Sequence, residues 1–572
     1  MLAAALVFGV LAQGRAQPVI TPPFIAQEAL TLPVIAQHGM VVSQEATASR
    51  IGVDVLKRGG NAVDAAVAAA FALAVTLPRA GNLGGGGFML VHQEKERRTI
   101  AIDYRETAPA GASADMFLDA KGAADPRKSR DTGLAVGTPG TVAGLALAHA
   151  RYGSGRFSLA QLIAPAIALA HDGIPVEGDL ADSLPGGALR FAPYPAARAI
   201  FEHADGTVLA RGETLVQRDL AATLGAIATQ GAAGFYTGPV AEKLVAGVQA
   251  AGGRLTLDDL AAYAAIERPV VHGVYRGHVI ASMPPPSSGG VHVIEILNIL
   301  EGFDIAGLGH NSAAGIHALA EAMKLAYADR SEYLGDPAFV DAPVRGLTSK
   351  RYAAHLREGI GAAARPATAI KPGDPLAYES DQTTHFSVVD DEGNAVANTY
   401  TLNFSYGLGL VAPGTGVILN NELDDFAAAR DAPNAFGLTG GAANAPAPRK
   451  RPLSSMSPTM VFAPDGALEL VTGTPGGSTI INTVVQIIVD VIDHGMNIAE
   501  ATAAPRIHHQ WSPDVLVMER GVSSDTVRLL QGQGYATRTG RAFGSVQSIM
   551  RRDGALFGAA DARQRGTGAV GY

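Results

Sequence analysis

The chain has no cysteine among its 572 residues. That single absence excludes disulfides, thiolate nucleophiles and cysteine-ligated metal sites. It leaves the compartment open, because exported proteins can do without disulfides. Charge is also scarce, at 17% of residues against 47% hydrophobic. Disorder needs the opposite balance, so a large folded core is expected. Lys and Arg are scattered rather than clustered, and the formal net charge is −9. A nucleic-acid surface needs a basic footprint, which is missing. The leading apolar run, residues 2–11, is too short for a membrane span, which needs about 20 residues. With Gly14 and Ala16 behind it, the run fits a signal peptide over residues 1–16. A periplasmic or secreted protein is therefore expected.

Motifs for cofactors and metals are lacking too. The stretch Gly81-Asn82-Leu83-Gly84-Gly85-Gly86-Gly87 has no P-loop lysine and opens into an apolar strand, not a helix. Close backbone packing is its expected use. His508-His509 comes without a metal-binding pattern, and neighbours on a strand point to opposite faces. No cofactor and no metal are expected.

What is present is organised around one transition. Residues 34–43 alternate like a strand. Asn61 is a good helix cap, and residues 62–77 form a buried Ala/Val-rich helix stopped by Pro78. Residues 158–360 read as mostly helical, with Met283-Pro284-Pro285-Pro286 as a rigid turn before an apolar helix. Residues 361–382 are rich in Ala, Pro and Gly and read as a flexible arm. The arm ends on the β-forming run Thr383-Thr384-His385-Phe386-Ser387-Val388-Val389.

After a turn at residues 390–394, a second strand runs from Ala395. A three-residue loop at 391–393, with Gly393 as its left-handed residue, would set Thr383 opposite Thr401. Taken alone, two facing threonines are a cross-strand β-branched pair. No Gly-x-Ser-x-Gly elbow supplies a triad. A threonine freed at a chain terminus, however, can be activated by its own α-amino group.

Ordered segments of the chain resemble the γ-glutamyltransferase family. They are Tyr104-Arg105-Glu106-Thr107-Ala108-Pro109-Ala110, Asp381-Gln382-Thr383-Thr384-His385-Phe386, Asn420-Asn421-Glu422-Leu423-Asp424-Asp425-Phe426, Arg451-Pro452-Leu453-Ser454-Ser455-Met456 and Thr474-Pro475-Gly476-Gly477-Ser478. The resemblance implies an α+β fold, the αββα sandwich of N-terminal-nucleophile hydrolases. It also implies self-cleavage between Gln382 and Thr383, giving a large subunit (17–382) and a small catalytic subunit (383–572) that stay together as a heterodimer.

It further implies Thr383 as nucleophile, Thr401 as its orienting partner, and the N–H groups of Gly476 and Gly477 as oxyanion hole. Arg105, Ser454 and Ser455 would hold the α-carboxylate of a γ-glutamyl group. Asn403, Glu422 and Asp425 would hold its α-ammonium. Without the resemblance, Arg105-Glu106 would read as a surface ion pair and the acidic run as a solvated turn. Residues 427–449 resemble a lid, with Phe436 where many bacterial members have a tyrosine. The expected partners are a glutathione-like donor and an amino-acid or peptide acceptor. Two rivals remain: a cephalosporin or glutaryl acylase of the same superfamily, and an inert binding homologue.

Overall fold

The computed structural model describes residues 31–375, 387–429 and 432–572. The expected signal peptide, Gln382 and Thr383 lie outside these residues. Contacts divide the chain at Leu32, and the unit Pro33–Tyr572 is the one described below.

Two seven-stranded sheets form its centre among the described residues. In spatial order the first is Gly568–Gly571, Met40–Ser43, Ser387–Val389, Ala395–Thr401, Gly86–Gln93, Arg98–Tyr104 and Ile266–Pro269. The second is Val34–Ala36, Ala555–Ala560, Gln547–Arg552, Leu468–Thr472, Thr459–Phe462, His278–Ser282 and Val271–Tyr275.

Alternation along the strands shows how the layers stack. In the first sheet Met40, Val42, Phe88, Leu90 and Val389 meet Met460, Phe462, Val471 and Ile549 of the second, in one shared core. Their sequence neighbours Val41, Met89, Val91 and Val388 point the other way, into a core with helices such as Ala62–Thr76 and Leu159–Asp172. In the second sheet Val461, Leu470 and Met550 face outward onto the helices Gly289–Leu300, Ala313–Tyr333 and Thr479–Ile492. A period of two thus feeds two cores from each strand. The result is the expected αββα sandwich.

The helix Ala62–Thr76 illustrates the local logic. Asn61 Oδ1 accepts the N–H groups of Val63 and Asp64 at 3.1 and 3.0 Å, while the Asp64 carboxylate accepts that of Asn61 at 3.1 Å. This reciprocal cap satisfies donors that would otherwise be orphaned at the helix start. Every residue of the helix is buried. Among the described residues no helix is long and apolar enough to cross a membrane.

Two expectations from the sequence need correction. Residues 34–43 are not one strand: Val34–Ala36 belongs to the second sheet and Met40–Ser43 to the first. The carbonyl of Tyr572 accepts the N–H groups of both Gln37 and His38 at 2.9 and 2.8 Å, fixing the turn that changes layer. The helical middle also contains strands, because Ile266–Pro269 closes the edge of the first sheet before Val271–Tyr275 and His278–Ser282 enter the second.

The glycine-rich stretch packs as expected. A methyl group on Gly81 would lie 2.1 Å from the Leu73 carbonyl oxygen, and one on Gly85 2.0 Å from that of Thr401. Only a residue without Cβ lets these backbones meet.

Candidate active site

The hairpin expected from the sequence is present. Ser387 pairs with Ala397, Val388 with Val396 and Val389 with Ala395. Asp390 N–H donates to the Asn394 carbonyl at 3.0 Å, leaving 391–393 as the loop, and Gly393 has φ +88°. Asp390 also accepts the backbone N–H groups of Glu392 and Asn394 at 3.0 and 2.9 Å, which stiffens the turn.

Beyond the end of this hairpin lies a cavity of about 330 Å³. Thr401, Asn403, Glu422, Asp425, Phe436, Ser454, Ser455, Gly476 and Gly477 all line it. Segments far apart in sequence therefore converge on one space. Thr401 ends its strand opposite Gly86, and its Oγ1 accepts the N–H of Asn403 at 2.8 Å. Asn403 is left-handed (φ +75°) and donates its side-chain amide to the Asn421 carbonyl at 2.9 Å. Gly477 (φ +57°) has no room for a side chain, since a Cβ would stand 2.4 Å from the Phe436 ring.

Arg105 sits behind this wall, fully buried. Its Nη1 bonds the Glu422 carboxylate, its Nη2 donates to Asp425 at 2.7 Å, and its Nε donates to the Pro452 carbonyl at 3.1 Å. Glu106 is also fully buried, 3.8 Å from Arg105 Nη1. The pair is thus no surface ion pair, and the acidic run is no solvated turn.

Three carboxylates around one guanidinium titrate unusually. Burial drives Glu422 up to about 7 even though Arg105 pulls it back down. Burial likewise raises Asp425, and raises Glu106 well above the carboxylate range. Burial alone would lower Arg105, but Glu422, Asp425 and Glu106 outweigh it and hold its proton more firmly.

Arg330 escaped the sequence reading. Its Nε donates to Ser288 Oγ at 2.8 Å and its Nη2 to Ser455 Oγ at 3.1 Å. Ser288 in turn donates its N–H and hydroxyl to the Ser454 carbonyl at 2.8 and 2.7 Å. Arg330 therefore braces the serine pair from behind and lowers Asp425 electrostatically. The helix Ala313–Tyr333 also carries Glu321, Lys324, Asp329 and Glu332, so its sequence held no signal that singled out Arg330.

Phe436 leans on Phe404, with ring centroids 5.6 Å apart. Its carbonyl accepts the Gln510 side-chain amide at 3.0 Å. Two residues earlier, Asn434 donates to Asp425 at 3.1 Å, so the segment carrying Phe436, the expected lid, is tied to the acidic wall itself. His508 and His509 serve other ends. His508 bonds Asn482 at 2.7 Å and Gln510 at 2.9 Å, and burial lowers it to about 4, while His509 lies 3.3 Å from Asp514.

The described part of the segment before the expected cut is held by backbone bonds. Lys324 donates to the Arg365 carbonyl at 2.6 Å, Asp514 accepts the Ala367 N–H at 2.7 Å, and Asp329 accepts that of Gly373 at 2.6 Å.

Comparisons with known proteins identify the family. The γ-glutamyltranspeptidase family model matches residues 48–571. The glutathione hydrolase proenzyme of Escherichia coli (strain K12) is 52% identical over 573 residues, covering 100% of this chain and 98% of that protein. The structure of a cephalosporin acylase from Bacillus halodurans superposes with a TM-score of 0.82 at 26% identity, covering 98% of this chain and 99% of that one. That of Helicobacter pylori γ-glutamyltranspeptidase gives 0.57 at 45% identity, over 58% of this chain and 95% of that one. The chain belongs to the γ-glutamyltranspeptidase family.

Proposed function

We propose that the protein is a self-processing γ-glutamyltransferase that cleaves γ-glutamyl amides such as glutathione. The observation that carries this reading is the convergence of acidic wall, serine pair and glycine turn on one cavity at the end of the hairpin. Continuing the hairpin register by four residues on each strand takes position 383 to Thr401. Thr383 is then the nucleophile and Gln382–Thr383 the bond cut during maturation. The two products remain together as a heterodimer. Export to the periplasm or the exterior fits the apolar leader.

In the reaction, Thr383 Oγ attacks the γ-carbonyl carbon while the α-amine takes its proton. The tetrahedral oxyanion rests on the N–H groups of Gly476 and Gly477, each such donor being worth about 2.7–4 kcal/mol. Collapse breaks the C–N bond, and the leaving amine takes the proton from the α-ammonium. Water or an acceptor amine then attacks the threonyl ester by the same route in reverse. Thr401 orients the nucleophile. Ser454 and Ser455 hold the α-carboxylate, with the charge of Arg105 behind the wall to favour it, and Glu422, Asp425 and Asn403 hold the α-ammonium.

An acylase with the same fold would not need an ammonium site, so the acidic wall favours glutamyl over glutaryl. Hydrolysis of γ-glutamyl p-nitroanilide should exceed that of glutaryl p-nitroanilide by at least ~100-fold in kcat/KM, since a buried acceptor left unpaired is costly. Comparable rates would favour the acylase.

The same wall predicts a pH signature. Because Glu422 is raised to about 7, its ionised form is lost as pH falls through that value. KM for the γ-glutamyl anilide should then rise about tenfold per pH unit below 7. Glu422→Gln should remove this limb from KM. A KM that is flat from pH 5 to 8 in the unaltered enzyme would contradict the assignment.

A further inference from the structure

The residues assigned to the glutamyl head are only part of the cavity lining. Leu73, Leu77, Arg79, Ala80, Phe404 and Ser405 line the same cavity. Among the described residues Arg79 is the one Lys or Arg on that lining. It stands just past the end of the helix Ala62–Thr76, where Pro78 has turned the chain.

Its surroundings fix the guanidinium without using it up. Nε is bonded to the Asp179 carboxylate, and the Arg79 carbonyl accepts the Tyr406 N–H at 2.9 Å. The side chain is only 16% exposed. Yet Nη2 is buried with no hydrogen-bond partner. Nη1 is neither buried in this way nor bonded to a protein group among the described residues, so it is the nitrogen left to meet a ligand in the cavity. Phe404 on the same lining is also held, with the Arg190 guanidinium 4.8 Å from its ring centroid and Arg190 Nη1 donating to the Gly407 carbonyl at 3.0 Å.

We propose that Arg79 is the recognition point for the carboxylate of the amine partner in transfer: the free carboxylate of an acceptor amino acid or peptide, and that of the peptide leaving the donor. This rests on the γ-glutamyl transfer reading. Such a partner carries its reacting nitrogen at one end and a carboxylate at the other. With the acyl group anchored at Glu422 and Asp425, the nitrogen must meet the γ-carbonyl and the carboxylate must extend away from that acidic wall. Like charge repels it from Glu422 and Asp425, and Arg79 is the cation that receives it. With Nε bonded to Asp179 and Nη2 buried, Nη1 is the donor for a charge-assisted bond to that carboxylate. The Leu73 and Leu77 side chains lower the local dielectric, which strengthens the pairing.

Asp179 also gives Arg79 a structural use, joining the helix Ala62–Thr76 to Gly178–Phe191, so the test must separate recognition from stability. With the processed enzyme and saturating γ-glutamyl p-nitroanilide, transfer to glycylglycine is compared with transfer to glycylglycinamide, at a pH where both amines are free. The amide differs in lacking the carboxylate. The unaltered enzyme should prefer glycylglycine in kcat/KM. Arg79→Gln should reduce that preference ~10–100-fold, the usual worth of a charged hydrogen bond, and Arg79→Lys should keep part of it. An unchanged ratio, or equal losses with both acceptors, overturns the inference. Should Arg79→Gln fail to fold or process, the unaltered enzyme still decides: no preference for the carboxylate sinks the proposal. If it releases no p-nitroaniline at all, the γ-glutamyl reading itself falls, and this inference with it.

Discussion

A Thr383→Ala chain will stay whole and inactive, while the unaltered protein will separate into two chains, the smaller beginning Thr-Thr-His-Phe. Intact-mass measurement and N-terminal sequencing read the result directly. The reasoning runs from geometry to acid–base chemistry. The register is observed for Ser387–Val389 only, and its extension by four residues, the proposal made above, would set position 383 opposite Thr401, which lines the cavity. A threonine hydroxyl is a poor nucleophile without a base. Neither cavity-lining carboxylate is suited to that task, because both are engaged by Arg105. The α-amine exposed by the cut has an ordinary pKa of about 7.7–8.0, so a useful fraction is neutral near pH 7. Losing nucleophile and base together should reduce activity by at least ~10³-fold. Thr383→Ser, which keeps both hydroxyl and amine, should still be cut. Cleavage of the alanine variant at the same bond would point to an outside protease instead.

Replacing Arg105 should be the most damaging change made away from the nucleophile. Arg105→Met removes the cation from Glu422, Asp425 and Glu106 and leaves three carboxylates in the interior. Breaking a buried ion pair from one side costs about 3–5 kcal/mol. The cost should depend on pH in a definite sense. A carboxylate whose folded pKa is raised contributes stability that is present at low pH and lost as pH rises through the folded value. For Glu422 that window lies between its ordinary 4.5 and about 7. Without Arg105 the folded values climb further, so the window extends upward. Urea unfolding of the uncut Thr383→Ala chain, with and without Arg105→Met, should show a larger deficit at pH 8 than at pH 6. A deficit of equal size at both would mean that the carboxylates are not what Arg105 holds in check. Activity should fall as well, because the proposed α-carboxylate site loses its cation.

Much of this is legible in the sequence, for identifiable reasons. The hairpin register came from a short turn and a left-handed glycine, both local features. The glycine stretch announced close backbone contact because it lacked every alternative signature. The helix at Ala62 was marked at both ends, by Asn61 and Pro78. What stayed hidden depends on contacts between distant segments. No periodicity could place Tyr572 beside Gln37 and split the first strand. Nor could the sequence separate Arg105-Glu106 as a surface pair from a buried one, because the deciding partners lie more than three hundred positions away at Glu422 and Asp425. Arg330 was missed because a charged residue in a long helix usually faces water, and only the stacking of that helix on the serine turn shows otherwise.

The order of strands in the first sheet bears on what happens after the cut. Ser387–Val389 lies between Ala395–Thr401 and Met40–Ser43, and Gly568–Gly571 flanks Met40–Ser43 on its far side. A break before residue 383 therefore yields two polypeptides woven through one another, each supplying strands that the other must flank. Neither holds a complete sheet, so neither has a native state of its own to return to. Before the cut, covalent linkage keeps the two sets of strands at high effective concentration; afterwards their meeting in solution is second order. The precursor can fold, but the working enzyme, once unravelled, should not readily recover. Its durability is then a matter of how slowly it opens rather than of how well it refolds.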